Sequence, residues 1–304
     1  MTPGMISRYD KPVTLTAEDR ASVCARAVAA AVLVAKRHGV RVTEPAVLAD
    51  RYAVRVHLRP APVVARVSTF TALLRHPIEA WLARELDVTR FLHGRGDPVV
   101  PPSDLLPAGP HLQDGFAISF WSYVAPVSDE PPAPEVAGRM LAELHGALRE
   151  FPGELPLLAP PINDIPRGLA RLEAMPKVIP ASDVSMLRRV ADRLLPTVKE
   201  LTSSLQPLHG DAHVYNMIPS ARGLLWNDFE DACRGPVAWD LTTLSDPENK
   251  MLAAYPAAPS AETVEAYRRV RLLHATVWVL ALLPEVDEWA VHARGMLDAL
   301  RPLA

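Results

Sequence analysis

The stretch LHGDAHVYNMIPSARGLLWNDFEDACRGPVAWDL, residues 208–241, constrains this chain more than any other part of it. Gly210 makes a tight turn that exposes Asp211, Asn216 follows five residues later, and a short apolar strand, Leu224-Leu225-Trp226, delivers Asp228. The pattern predicts a strand–loop–strand unit over 205–228. Asp and Asn oxygens are hard ligands suited to magnesium, which takes few protein ligands and keeps several waters. A separate carboxylate close by can accept a proton from a hydroxyl nucleophile. Phosphoryl transfer asks for little more than metal clamps on the phosphates, a base-like Asp and a positive residue on the nucleotide. Any one of these residues could be ordinary loop capping; their joint spacing is what argues for chemistry.

The rest of the chain can house such a unit. Its 304 residues suggest one large or two smaller domains, and an apolar share of 49% is ample for a core. The 31 prolines cluster at 98–110, 126–134 and 152–166, which reads as loop punctuation. Lys and Arg (32) nearly balance Asp and Glu (35), a net charge of −3 that points to neither nucleic acid nor a membrane surface as partner. Cys24 and Cys233 stand far apart and form no C-x-x-C pair. No apolar run approaches the ~18 residues of a membrane span and no signal-peptide core opens the chain, so a soluble, cytoplasmic protein is expected.

Thr16 is placed to cap a first helix, with Asp19 three residues on and Gly39 at its end. Ala53–Leu58 and Val63–Ser68, split by Arg59-Pro60-Ala61-Pro62, read as paired strands. A second helix between Pro77 and Gly94 carries Ile78, Trp81, Leu82 and Leu92 on one face, with Glu85 among them. A carboxylate in that company needs a cation or donors. FAISFWSYV (116–124) reads as a strand, and Ala137, Met140, Leu141, Leu144, Leu148 and Phe151 mark one face of a helix. Further helices are expected near 261–283 and 286–301. The order suggests an N-terminal lobe over 1–125, a connector at 121–133, and a mainly helical lobe over 126–304.

H-G-D-x-H-x-x-N, followed about a dozen residues later by D-F-x-x-A-x-x-G and then D-L, resembles the aminoglycoside phosphotransferase and choline kinase group. The resemblance implies an α+β, bilobal protein-kinase-like fold, with a small sheet-plus-helix lobe and a larger helical lobe holding the catalytic loop and acceptor site. It implies that Asp211 is the catalytic base, that Asn216 and Asp228 bind Mg2+, and that His209 and Asp240 support the loop. ATP or GTP is the implied donor and a small-molecule hydroxyl the acceptor. Val63–Val67 is similar to the family strand whose cation meets the nucleotide phosphates. That makes Arg66 the cation and Glu85 its partner, since Arg can clamp a phosphate and pair with a carboxylate. The turn Leu48-Ala49-Asp50-Arg51-Tyr52 departs from the pattern in having no glycine, which weakens phosphate contact by backbone N–H groups. Val214-Tyr215 stands where relatives often have Pro-Gly.

Several residues carry two readings. Trp121 and Tyr123 either stack on a nucleotide base or belong to the core. His213 either lines the loop or touches the acceptor. Glu230 and Asp231 either draw a cationic acceptor or form a solvated loop face. Arg66 either binds phosphate or snorkels to solvent. Two other functions compete with a small-molecule kinase: a nucleotide-binding pseudokinase or regulatory module without turnover, and a zinc hydrolase built on His209 and His213 with His274 or His292. A protein kinase is disfavoured, because no A-P-E segment follows and few residues separate Asn216 from Asp228.

Overall fold

The computed structural model describes residues 17–200, 204–243 and 246–304. The first helix, α1 (Ala17–Arg37), ends on Gly39, which takes a left-handed φ of 79° while Val40 N–H closes back on Ala35 O. Thr16, the expected cap, lies outside the described residues. Strands β1 (Val42–Asp50), β2 (Ala53–Pro60), β3 (Val63–Ser68), β4 (His111–Gln113) and β5 (Phe116–Ser122) form an antiparallel sheet in the order β1-β2-β3-β5-β4. The expected strand pair is β2–β3; β1 and β4 had no distinct sequence signal.

Period-two alternation sorts this sheet into two faces. Val54, Val56, Leu58, Val63, Ala65, Val67, Ile118 and Phe120 pack against α1, whose Ala27, Ala30, Ala31 and Ala35 let helix and sheet approach closely. The opposite face carries Arg55, Val64, Arg66 and Trp121 toward the cleft. Helix α2 (Ile78–Arg95) stands on that side: Leu86 packs on Trp121 and Val64, and Glu85 reaches Arg66. Gly94 lies near the end of α2 as expected, and the C-cap is Gly96, with a φ of 86°.

The helical lobe holds α3 (Pro134–Leu148), α4 (Ala159–Ala174), α5 (Ala181–Glu200), α6 (Lys250–Ala254), α7 (Ala261–Ala281) and α8 (Ala290–Leu300). Leu169, Leu172, Leu187, Val190, Leu273, Val277, Leu280 and Leu297 form its core. At ~1.5–3 kcal/mol per fully buried aliphatic side chain, this cluster is a principal source of the lobe's stability. The third proline cluster is not all loop: Pro160 and Pro161 occupy the first turn of α4, where their missing N–H groups cost nothing, and Pro166 lies inside the helix.

Four short strands form two further pairs: β6 (Gln206–Leu208) with β9 (Cys233–Gly235), and the hairpin of β7 (Met217–Ser220) with β8 (Gly223–Trp226). Met217, Trp226 and Phe229 root this region on Leu141, Leu144 and Leu148 of α3. Among the described residues, no helix is long and apolar enough to cross a membrane.

Candidate active site

The loop after β6 is shaped by its backbone. Gly210 has a φ of 91°, and a Cβ there would overlap the backbone carbonyl of Asp231. Only glycine lets the two segments lie this close. Asp240, fully buried, accepts the N–H groups of His209 and Gly210, both at 2.9 Å. His145 of α3 sits 3.0 Å from the same carboxylate and 2.9 Å from the Tyr255 hydroxyl. Burial works against the Asp240 charge, but the His145 hydrogen bond holds its carboxyl below the usual range. His209 uses both ring nitrogens internally: Nε2 donates to Asn227 O at 3.0 Å, and Nδ1 accepts from Asp211 N–H at 3.3 Å. Burial lowers its pKa, which suits a neutral structural imidazole.

Asp211 extends from this scaffold with its side chain 40% exposed. Two cations flank it: His213 Nε2 lies 3.3 Å from Oδ2, and Arg271 Nη1 lies 3.3 Å from Oδ1. Burial opposes its charge, yet His213 and then Arg271 outweigh burial and hold the Asp211 carboxyl well below the usual range. The same pairing raises His213 despite its own burial. Arg271 comes from α7, stacks 3.7 Å over the Trp239 ring, and donates to the carbonyls of Gly210 and Trp239 at 3.0 and 3.1 Å. Asn216 donates its Nδ2 to Asp211 O at 2.9 Å, which leaves its amide oxygen available to a cation.

Asp228 faces the cleft from the end of β8 with a φ of 66°, a strained backbone for a non-glycine residue. Its Oδ1 lies 2.7 Å from Arg66 Nη1 and its Oδ2 lies 2.7 Å from Arg55 Nη2. Arg66 also bonds both Glu85 oxygens at 2.9 and 3.0 Å and pairs with Glu230. Arg75, buried and sandwiched between Trp81 and Trp278 at 4.3 and 4.6 Å, takes Asp164, Glu230 and Asp231 at 2.9, 2.8 and 2.6 Å. Five carboxylates (Glu85, Asp164, Asp228, Glu230, Asp231) thus meet three guanidinium groups. Burial, with Asp228 and Glu230 close by, outweighs Arg66 and pushes Glu85 up to about 8. The Asn216 amide oxygen and the Asp228 carboxylate are hard oxygens of the kind magnesium prefers, and both Asp228 oxygens are engaged by arginines here.

The structure thus brings Asp211, Asn216, Asp228, His213, His209 and Asp240 together. It corrects other expectations. Arg66 does not snorkel: it is 7% exposed and held by three carboxylates. Glu230 and Asp231 are neither a solvated face nor an acidic acceptor rim, because they are 1% and 8% exposed and bound to arginines. Trp121 lines the cleft from a buried position and donates to Ser119 Oγ at 2.9 Å, while the Tyr123 ring is stacked on His57 at 3.7 Å. His274 bonds Asp164 at 3.0 Å and His292 leans on Trp289. Among the described residues, no group of three or more His, Cys, Asp or Glu side chains is arranged to hold a metal ion, so the zinc-hydrolase reading has no ligand set there.

Sequence reasoning missed Arg55, Arg75, Arg271 and Asp164. Arg271 had the signal that flagged Glu85, a charge on the apolar face of α7 beside Val270 and His274. Arg55 follows from alternation in β2 once Val54 and Val56 face the core. The cleft between the lobes has a volume of about 400 Å3, with Arg55, Arg66 and Asp228 at one part of its wall and Trp121, Tyr123 and Val124 at another.

Sheet lobe, helical lobe and a cleft between them that meets a carboxylate-bearing loop define a bilobal protein-kinase-like fold. The chain belongs to the phosphotransferase enzyme family, whose sequence model matches residues 40–275. Choline kinase LicA from Streptococcus pneumoniae is similar in fold, with a TM-score of 0.64 at 13% identity over 89% of this chain and 97% of that one. So is amicoumacin kinase hAmiN, solved with AMP-PNP, Ca2+ and Ami, with a TM-score of 0.65 at 14% identity over 89% and 91%. A microcompartment-associated aminopropanol kinase aligns with a TM-score of 0.62 at 18% identity over 91% and 95%. No curated protein sequence matches the chain.

Proposed function

We propose that this protein moves the terminal phosphoryl group of ATP or GTP, with magnesium, onto a hydroxyl of a small molecule. Residues up to 125 form the nucleotide lobe, 121–133 the hinge, and the remainder the lobe that holds the catalytic loop and the acceptor. The observation that carries this reading is Asp211: a carboxylate held ionised by His213 and Arg271, still 40% exposed, in one loop with Asn216.

In this reading Asp211 accepts the hydroxyl proton. Asn216 Oδ1 and Asp228 would hold magnesium, which would supply charge neutralisation on the phosphates. Asp240, His209 and His145 fix the loop. Glu85 orients Arg66, and Trp121 with Tyr123 forms the wall at the nucleotide end of the cleft. The solved kinases of choline, amicoumacin and aminopropanol support a small-molecule acceptor, and their variety gives no ground for naming one.

Thermal melting with ATP and with GTP, each with and without magnesium, tests the donor site. A nucleotide at ~100 times its dissociation constant stabilises the fold by roughly 2.7 kcal/mol. A magnesium-dependent rise in Tm, lost in Asp228→Ala, is expected; no rise with either nucleotide would count against the reading. Asp211→Asn should keep that rise while turnover falls by about 10²–10⁴-fold. Wild-type turnover in Asp211→Asn would remove Asp211 as the base.

A further inference from the structure

Two arginines lie directly opposite each other on the cleft face of the sheet: Arg55 of β2 pairs in register with Arg66 of β3. Like charges at such a position repel unless something separates them. Asp228 does so, with one carboxylate oxygen for each guanidinium at 2.7 Å. The two arginines are not equivalent. Arg66 has a 9% exposed side chain, and both its terminal nitrogens are committed to Glu85, Asp228 and Glu230. Arg55 has a 41% exposed side chain, and among the described residues only its Nη2 is engaged.

The turn that would otherwise cover the phosphates has little to offer. Asp50-Arg51-Tyr52 contains no glycine, the Arg51 N–H turns toward Ala53 O, and Tyr52 O accepts from Phe70 and Thr71 N–H at 3.0 and 3.1 Å. The Tyr52 ring rests on Trp278 of α7, 5.5 Å away, and Arg51 pairs with Glu288 at 2.9 Å. A turn anchored on both sides is poorly placed to wrap backbone amides around a phosphate. Side chains are then the better-placed phosphate donors beside this turn, and a planar guanidinium fork is well matched to phosphate oxygens.

We infer that Arg55 is a phosphate-binding residue of the cleft, specific for the β- and γ-phosphates of the donor, and that its bond to Asp228 is the pairing it keeps while no phosphate competes for it. Arg66 is then mainly the structural centre of the carboxylate cluster, locked by Glu85. The exchange needs no new charge. Arg55 leaves one carboxylate oxygen for a phosphate oxygen, and Asp228 gains a free oxygen facing the cleft. The inference rests on the donor reading above and deepens it by naming a phosphate contact that the β3 arginine alone does not provide.

Dissociation constants for AMP, ADP and ATP, measured by calorimetry with magnesium present, test it in wild type, Arg55→Ala and Arg55→Lys. Arg55 is exposed enough that both variants should keep the wild-type Tm, checked first without nucleotide. The expected result is an ATP and ADP affinity lower by about 10- to 100-fold in Arg55→Ala, the scale of a lost charge-assisted hydrogen bond. AMP affinity should change by less than about 3-fold, and Arg55→Lys should recover part of the loss. Equal weakening of AMP and ATP would overturn the assignment by making Arg55 a general wall of the cleft. Unchanged ATP affinity would overturn it by leaving Arg55 as a cap on Asp228. Failure of the wild type to bind either ATP or GTP would remove the kinase reading itself, and the Arg55 assignment with it; if only GTP binds, the same comparison is made with GMP, GDP and GTP.

Discussion

The base role proposed for Asp211 needs an ionised carboxylate, and the neighbours of Asp211 favour one. Arg271 contributes a permanent charge, while His213 contributes one that titrates. Because the folded His213 pKa is raised above its ordinary 6.5, its pairing stabilises the fold fully below that value and is lost as pH rises through the folded value. Asp211 works in the opposite sense: its lowered pKa gives stability that is present above the ordinary carboxylate range and is lost as pH falls through that range toward the folded value. His213→Gln should therefore destabilise the protein more at about pH 5.5 than at about pH 9, as read by urea midpoints at the two pH values. An equal cost at both would mean that His213 supports the loop by packing alone. Its Nδ1 is buried without a partner among the described residues, so packing offers it little compensation.

At the scale of elements, close approach decides which substitutions the fold tolerates. In α3, a Cβ on Gly138 would run into the backbone carbonyl of Met251 in α6, whereas one on Gly146 would meet nothing nearer than Arg149 Nη2 at 3.7 Å. Gly138→Ala should cost about 1–3 kcal/mol through overpacking. Gly146→Ala should gain about 0.5–1 kcal/mol from helix propensity. Paired chemical denaturation of the two variants checks the contrast within one helix. Gly210→Ala combines a left-handed φ with a backbone overlap against Asp231; a loss of about 2–4 kcal/mol, with displacement of Asp211, is expected. Much of this scale was legible in the residues. The β2–β3 pair, α2, β5, α3 and α7 follow from periodicity and flanking Pro or Gly. β1 was not legible, because Val42–Asp50 is largely exposed and lacks clean alternation. Nor was the start of α4, because its prolines imitate a loop until the first turn is seen to need no N–H groups.

Across the whole molecule the lobes are joined by two kinds of charge contact. Arg51–Glu288 is a surface pair with side chains 60% and 43% exposed, and Arg51→Ala should cost no more than about 1 kcal/mol. Arg75 is different: it is 4% exposed, lies between two tryptophans, and ties the segment after β3 to α4 and to the loop after Asp228. Removing it strands buried carboxylates, so Arg75→Ala should cost about 3–5 kcal/mol in urea denaturation. A cost near that of Arg51→Ala would show that water enters and solvates Asp164 and Glu230. By itself the sequence determined that Asp211, Asn216 and Asp228, the residues proposed to carry the chemistry, would lie close together, because they fall within one local strand–loop–strand unit. It also determined that Glu85 needs a cation, because helical periodicity puts a carboxylate among apolar residues. Only the tertiary structure decided which arginines answer those carboxylates. Arg55 meets Asp228 across 173 residues, Arg75 meets Glu230 across 155 and Arg271 meets Asp211 across 60. Local periodicity reports which face a side chain takes; it holds no record of what the folded chain will bring against that face.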